Sequence, residues 1–128
     1  MDSIPESYQR YLDEIYEISK KKRGGWVTNK ELAEGLDVKP GSVSGMLKKL
    51  KNKNFIKWER RNSIRLTKQG KEVAILLNKT HNLLRDFFEK VLKIQDSQLI
   101  ETLSCEIEHH ITREVQESLK SFLDKYLE

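Results

Sequence analysis

The sequence contains few of the features that mark secreted, membrane-spanning or loop-rich proteins. It has one cysteine, Cys105, so an internal disulfide framework is excluded. No stretch approaches the roughly 18 consecutive apolar residues that a membrane helix needs. The start of the chain, Met1 to Glu6, lacks the basic and apolar segments of a signal peptide. We therefore expect a cytoplasmic protein that does not enter a membrane.

Residues that interrupt helices are confined to the first half of the chain. Proline occurs only at Pro5 and Pro40, and all six glycines lie between Gly24 and Gly70. With 128 residues, the chain is long enough for one modest domain, or for a small domain with a helical appendage. We expect a boundary near Gly70, which divides the chain into residues 1–70 and residues 71–128.

The charge of the chain is divided unequally at the same boundary. Residues 1–70 hold 16 Lys and Arg against 9 Asp and Glu, a balance of +7, whereas residues 71–128 hold 8 against 11, a balance of −3. A basic first half favours a polyanionic partner, and an acidic second half favours a cation or a protein.

The first half has the pattern of a winged helix-turn-helix domain. Helical spacing of apolar residues predicts helices over Glu6 to about Lys22, Asn29 to Leu36, and Pro40 or Gly41 to about Lys53. Thr28 is the expected N-cap of the second helix, with Glu31 completing a capping box. Two strand-like runs, 55–59 and 63–67, then predict a β-hairpin wing.

Residues for DNA contact are expected on the exposed face of the third helix, before the second helix and at the wing tip. Small hydroxyls can bind base edges or phosphates, and lysine and arginine suit the phosphate backbone. The predicted DNA-binding residues are Thr28, Lys39, Pro40, Ser42, Ser44, Lys48, Lys49, Arg60 and Arg61.

The second half is predicted to be all-helical, with a long helix from about Gly70 to Leu92 and two further helices capped by Asp96 or Ser97 and by Thr112. The long helix carries more apolar surface than the small winged domain needs, which favours a dimer interface. The whole fold is therefore predicted to be mainly α, with an N-terminal winged helix-turn-helix followed by an all-helical dimerisation and metal-binding domain.

The stretch with the highest density of possible metal-binding side chains is Ser104-Cys105-Glu106-Ile107-Glu108-His109-His110. On a helix, Cys105, Glu108 and His109 share one face at spacings i, i+3 and i+4. Thiolate, carboxylate and imidazole are ligands that transition metals select. His81, on the preceding long helix, could complete the set. The residues alone leave open whether this is a metal site or a buried cysteine beside surface polar groups.

The chain resembles the diphtheria toxin repressor and manganese transport regulator family of metal-dependent repressors. The resemblance is carried by Tyr11–Tyr16, Val43–Leu50, Leu66–Gly70, His81–Leu84 and Cys105–His110. It implies a homodimer bound to a pseudo-palindromic operator in double-stranded DNA, and a divalent metal as cofactor. It also implies the shorter, two-domain architecture of the manganese-type members.

Five metal ligands follow from the resemblance position by position. His81, Glu108 and His109 match ligand positions common to both branches of the family. Cys105 stands where iron-type members have cysteine and manganese-type members have glutamate. Asp13 stands where manganese-type members have a ligand glutamate. A thiolate favours Fe(II), and then Co(II), Ni(II) or Zn(II), over Mn(II).

The sequence departs from the family pattern at two arginines. Arg10 occupies a position that supplies a Met or Asp ligand elsewhere, and Arg85 replaces a Glu that serves a second site. Arginine offers no lone pair to a metal at neutral pH. Two hypotheses therefore stand. Either Arg10 pairs with an acid such as Glu108 and replaces part of the metal's role, or one altered metal site remains.

A third departure lies on the recognition helix, where Gly41 and Gly45 take positions at which family members often present larger residues to bases. This pattern predicts DNA binding dominated by phosphate contacts and DNA shape. Two other functional classes compete with a regulator: a metal-dependent hydrolase and a non-specific architectural DNA-binding protein. We expect no enzyme and no small-molecule substrate, since the chain has no phosphate loop or nucleophile motif.

Overall fold

Helices and one β-hairpin make up the regular structure of the described residues. The structure, a computed structural model, describes residues 4–59 and 63–128. The elements in chain order are α1 (Glu6–Lys20), α2 (Asn29–Leu36), α3 (Pro40–Asn52), β1 (Ile56–Glu59), β2 (Ser63–Leu66), α4 (Lys68–Asp86), α5 (Ser97–Ile107) and α6 (Arg113–Tyr126). A π-helical turn, Phe87–Val91, follows α4, and a 3-10 turn, Glu108–His110, follows α5. The predicted fold class is confirmed.

The chain forms two compact units. The N-terminal unit is Ser7–Ile75, and the C-terminal unit is Leu76–Glu128 together with residues 4–6. The units divide within α4, five residues after the boundary that the sequence predicts at Gly70. No helix of the described residues is long and apolar enough to cross a membrane.

The helix-turn-helix forms as its local signals predict. Thr28 caps α2: its hydroxyl accepts a hydrogen bond from the Glu31 amide, and the Glu31 carboxylate accepts one from the Thr28 amide. Asp37, with φ of 55°, ends α2 in the left-handed region, and Pro40 begins α3. α2 packs against α3, and its Asn29 amide donates to the Ser44 hydroxyl at 3.1 Å.

The hairpin is extended by a short segment that precedes α2. β1 and β2 are antiparallel, with Trp58 opposite Ile64. Val27 adds a third row, because its amide and carbonyl each bond to Ile64 at 2.8 Å. The helices and the hairpin of this unit share one apolar core, whose fully buried members include Leu12, Ile15, Val27, Leu32, Val43, Leu47, Leu50 and Ile64.

A tight junction joins β2 to α4. The Thr67 amide donates to the Phe55 carbonyl at 3.0 Å, and its hydroxyl donates to the Asn54 carbonyl at 2.7 Å. The Gly70 amide in turn donates to the Thr67 hydroxyl. A Cβ at Gly70 would collide with the Phe55 carbonyl oxygen, so only glycine fits this close approach. Thr67 and Gly70 of the Leu66–Gly70 motif are therefore both needed to form this junction.

The C-terminal unit is a helical bundle that leaves apolar side chains uncovered. Asp96 caps α5 and Thr112 caps α6, as predicted. Its buried apolar residues include Leu77, Leu84, Ile100 and Leu123. Large apolar residues remain exposed at Leu92, Leu99, Val115, Phe122, Tyr126 and Leu127. Phe122 stacks on Tyr126 with ring centroids 5.5 Å apart, so part of this surface is an ordered aromatic cluster.

Candidate metal centre and DNA-binding surface

Most of the predicted DNA-contacting residues lie on α3 or directly before it. Lys39, Ser42, Lys48 and Lys49 are exposed, as is Pro40 at the first turn. A Cβ built at Gly41 or Gly45 would meet no atom within 4 Å. Neither glycine is therefore required by packing inside the protein, and together they leave a shallow, cation-flanked face. Arg60 and Arg61, predicted at the wing tip, lie outside the described residues.

Two predicted DNA-contacting hydroxyls already serve the local fold. Thr28 donates its hydroxyl hydrogen to Glu31 Oε1 at 2.9 Å. Ser44 donates to the Pro40 carbonyl at 3.3 Å and accepts from Asn29. A hydroxyl has one hydrogen to donate, so either residue must break an internal bond before it can donate to a phosphate. Their DNA contacts stay predictions.

The C-terminal unit brings three of the predicted metal ligands together. One ligand atom each from His81 on α4, Cys105 on α5 and Glu108 after α5 lie within 4.8 Å of one another. His81 Nδ1 lies 3.5 Å from Glu108 Oε2 and 3.9 Å from Cys105 Sγ. Helix geometry brings Cys105 and Glu108 together, because Glu108 follows Cys105 by about one turn, and the packing of α4 adds His81.

The electrostatics of this cluster centre on the imidazole of His81. Glu108 is buried, with a side chain 6% exposed, and the His81 side chain is 14% exposed. The hydrogen bond that the protonated His81 ring donates to the Glu108 carboxylate raises the pKa of His81 above its ordinary value, against an opposing effect of burial. The charges of Glu108 and Glu101 raise that pKa further. The site is therefore an acidic pocket that attracts a proton or another cation.

The other predicted ligands are placed differently. His109 is buried, and its Nε2 lies 3.8 Å from Glu108 Oε1, the carboxylate oxygen that does not face His81. The helix that the sequence predicts through His109 ends at Ile107, and a 3-10 turn carries both Glu108 and His109. Asp13 lies on α1 in the N-terminal unit, so its part in the site stays a prediction.

Glu101 belongs to the cluster but was missed by sequence reasoning. Its Oε1 lies 3.0 Å from His81 Nε2 and 3.8 Å from Cys105 Sγ. The signal that could have found it is helical spacing, since positions 101, 105 and 108 follow the i, i+4, i+7 pattern of one helix face. Of the two arginines that depart from the family pattern, Arg10 is exposed on α1 and Arg85 is exposed on α4.

Comparison with known families assigns both halves of the chain. Residues 4–64 match the iron dependent repressor N-terminal DNA binding domain. Residues 67–127 match the iron dependent repressor metal binding and dimerisation domain. The chain belongs to the iron dependent repressor family. Members of this family are transcriptional regulators and not enzymes. Family membership therefore argues against the metal-dependent hydrolase that the sequence left as an alternative.

Individual relatives agree with this membership. An uncharacterized HTH-type transcriptional regulator of Methanocaldococcus jannaschii is 31% identical over 123 residues, which cover 96% of this chain and 97% of the relative. The HTH-type transcriptional regulator MntR of Shouchella clausii is 33% identical over 83% of this chain and 71% of the relative.

A solved structure of the manganese regulator SloR is also similar, with a TM-score of 0.75 and 28% identity. The match covers 91% of this chain and 53% of SloR, so the chain spans about half the length of that structure. The repressor family thus accounts for the fold of both units.

Proposed function

We propose that the protein is a dimeric, metal-responsive transcriptional repressor that acts in the cytoplasm on a pseudo-palindromic operator. The observation that carries this proposal is the group of His81, Cys105 and Glu108 within 4.8 Å. It lies in the half of the chain that matches a metal binding and dimerisation domain.

Two of the three spacings between the ligand atoms are close to those expected around one bound ion. Metal–ligand bonds of about 2.0–2.3 Å in a tetrahedral site put neighbouring ligands roughly 3.3–3.8 Å apart. The 3.5 Å from His81 Nδ1 to Glu108 Oε2 lies in this range, and the 3.9 Å to Cys105 Sγ is just outside it. His81, Cys105 and Glu108 would hold the ion, and we propose His109 and Asp13 as further ligands.

The ligand set favours a borderline ion. Because the site includes a thiol, we propose Fe(II) as the preferred metal, followed by Co(II), Ni(II) or Zn(II). One similar protein, SloR, is a manganese regulator, so Mn(II) is the next candidate. Zn(II) binds tightly to most such sites in vitro, so affinity alone does not identify the physiological ion.

DNA recognition is proposed for α3 and its flanking residues. The contacts are those named above: Lys48 and Lys49 bind phosphates, while Ser42 hydrogen-bonds to a base edge or a phosphate. Two copies must pair to read a palindrome, with half-sites separated by about one or more helical turns. The exposed apolar residues of the C-terminal unit, including Phe122 and Tyr126, supply a surface for that pairing.

Arg10 supports a second candidate function, which is DNA binding without a metal ion. Because arginine replaces a ligand at this position, the protein could bind DNA without metal, the guanidinium having taken over part of the ion's charge. Substituting Arg10→Asp separates the two functions. If the chain keeps one altered metal site, the Arg10→Asp variant should bind metal more tightly than the wild type. If the arginine has replaced the metal, the same variant should lose DNA binding.

Titration of the metal-free protein tests the proposed function. Co(II) should bind with one equivalent per chain and give a sulfur-to-cobalt absorption band that a Cys105→Ala variant lacks. Fe(II), Mn(II), Ni(II) and Zn(II) should compete for the same site. The absence of stoichiometric binding for every ion would contradict a metal-responsive function and leave the Arg10 alternative.

A further inference from the structure

The imidazole of His81 has a carboxylate on each side. Its Nε2 lies 3.0 Å from Glu101 Oε1, and its Nδ1 lies 3.5 Å from Glu108 Oε2. Cys105 Sγ is 3.9 Å from Nδ1, so the candidate ligands Cys105 and Glu108 are both on the Nδ1 side. The two ring nitrogens therefore face groups with different functions.

We propose that Glu101 is a positioning residue, which accepts the Nε2–H of His81 and thereby leaves Nδ1 as the nitrogen that binds metal. This inference rests on the proposed function. A neutral imidazole carries one N–H and one lone pair, and an ionised carboxylate can only accept. Holding the hydrogen at Nε2 fixes the lone pair at Nδ1, next to Cys105 and Glu108.

The exposure of Glu101 separates it from the candidate ligands. Its side chain is 58% exposed, compared with 6% for Glu108, so it lies at the open rim of the cluster. The lone-pair directions of the two ring nitrogens diverge. A carboxylate that keeps its bond to Nε2 therefore does not coordinate an ion at Nδ1. Glu101 Oε1 is also 3.8 Å from Cys105 Sγ, and it accepts the S–H of that residue while the thiol is protonated.

Two substitutions at Glu101 and one matched control test this role by metal affinity. The control is Glu106→Ala, another exposed glutamate on α5. Zn(II) affinity measured against a competing chelator should fall about 10- to 100-fold in Glu101→Ala. Glu101→Gln should stay within about threefold of wild type, since its amide oxygen still accepts the Nε2–H. Glu106→Ala should bind as wild type does.

Nitrogen NMR of histidine-labelled protein gives a readout that does not depend on affinity. In the Zn(II)-bound wild type, His81 should carry a proton on Nε2 and have metal on Nδ1, with His109 and His110 distinguished by substitution. An Nε2 without a proton would overturn the proposal.

The Zn(II) affinities of the wild type and the Glu101 variants give the other results that would contradict the proposal. Equal affinity of wild type and Glu101→Ala would overturn the positioning role while leaving the metal site intact. A Glu101→Gln variant as weak as Glu101→Ala would instead make Glu101 a direct ligand. A wild-type protein that binds no Zn(II) would overturn the proposed function and this inference together.

Discussion

His81 Nδ1 lies 3.5 Å from Glu108 Oε2, and this contact joins α4 to the end of α5 within the C-terminal unit. The two residues are 27 positions apart in the sequence, and Glu108 is almost completely buried. A buried carboxylate is stable only with a partner, so the pair fixes the position at which a cation can enter. Cys105 completes the group on the same side of the imidazole.

The thiol of Cys105 should determine which ions the site prefers. Cys105→Ser should lower the affinity for Co(II) and Zn(II) by about tenfold or more, because a hydroxyl replaces a soft thiolate ligand. Mn(II) affinity should change by less than about threefold, since Mn(II) prefers oxygen ligands. Isothermal titration with each ion measures the difference, with Glu106→Ala as control. A uniform loss for all ions would contradict the proposed basis of selectivity.

Most of the fold could be predicted from the sequence because its signals are local. The capping box of Thr28 and Glu31, the αL end of α2 before Pro40, and the caps at Asp96 and Thr112 each involve residues only a few positions apart. Helix ends were less predictable. α4 gives way to a π-helical turn at Phe87, where no glycine or proline marks a change.

The site was harder to predict because it depends on contacts between helices. Sequence spacing alone puts Cys105 and Glu108 on one face of a helix. Which nitrogen of His81 faces them depends on how α4 is turned about its own axis, and the sequence does not give that angle. Glu108 and His109 lie in a 3-10 turn and not in the helix itself, so spacing counted on an ideal helix does not give their positions relative to Cys105. Glu101 was overlooked because its contact is with the far side of the imidazole.

Two glycines on different helices should respond to alanine in opposite directions. Gly70→Ala should destabilise the N-terminal unit by about 2 kcal/mol or more, because its Cβ would collide with the Phe55 carbonyl. Gly45→Ala should stabilise it by up to about 1 kcal/mol, since that helix position opens to solvent. Urea unfolding followed by the fluorescence of Trp26 and Trp58 reports on this unit. Equal effects of the two substitutions would contradict the packing described here.

The Lys22–Glu31 pair should make the stability of α2 depend on pH. The hydrogen bond from Lys22, at 2.6 Å, lowers the pKa of Glu31 below its ordinary value of 4.5. A carboxyl group whose pKa is depressed in the folded state stabilises that state above its unfolded pKa and loses this contribution as pH falls through the folded pKa. The stability difference between wild type and Glu31→Gln should therefore be largest above pH 4.5 and shrink in more acidic solution.

Denaturant unfolding between pH 3 and pH 7 measures this difference. Glu34→Gln, on the same helix, is the matched control, and its difference from wild type should vary less with pH. A Glu31→Gln difference that does not change with pH would mean that the ion pair with Lys22 does not contribute to stability.

DNA binding should depend strongly on salt, because phosphate contacts dominate. The slope of log K against log salt is about −0.9 for each phosphate contacted. Lys48→Ala and Lys49→Ala should each make the slope less negative by about 1 and weaken binding to all sequences similarly. Fluorescence anisotropy across a salt series measures the slope, with Lys120→Ala in the C-terminal unit as control. A salt-insensitive complex would contradict phosphate-dominated recognition.

The most direct test of metal-responsive regulation compares DNA affinity with and without metal. The probe is a duplex selected from a random pool by the protein in both states, and anisotropy is measured with Fe(II) under anaerobic conditions and with a chelator. We predict at least tenfold tighter binding with Fe(II), a coupling of about 1.4 kcal/mol. In Glu108→Gln, which should stay helical by circular dichroism, this difference should disappear. Equally tight DNA binding by the wild type with and without each divalent metal tested would contradict metal control.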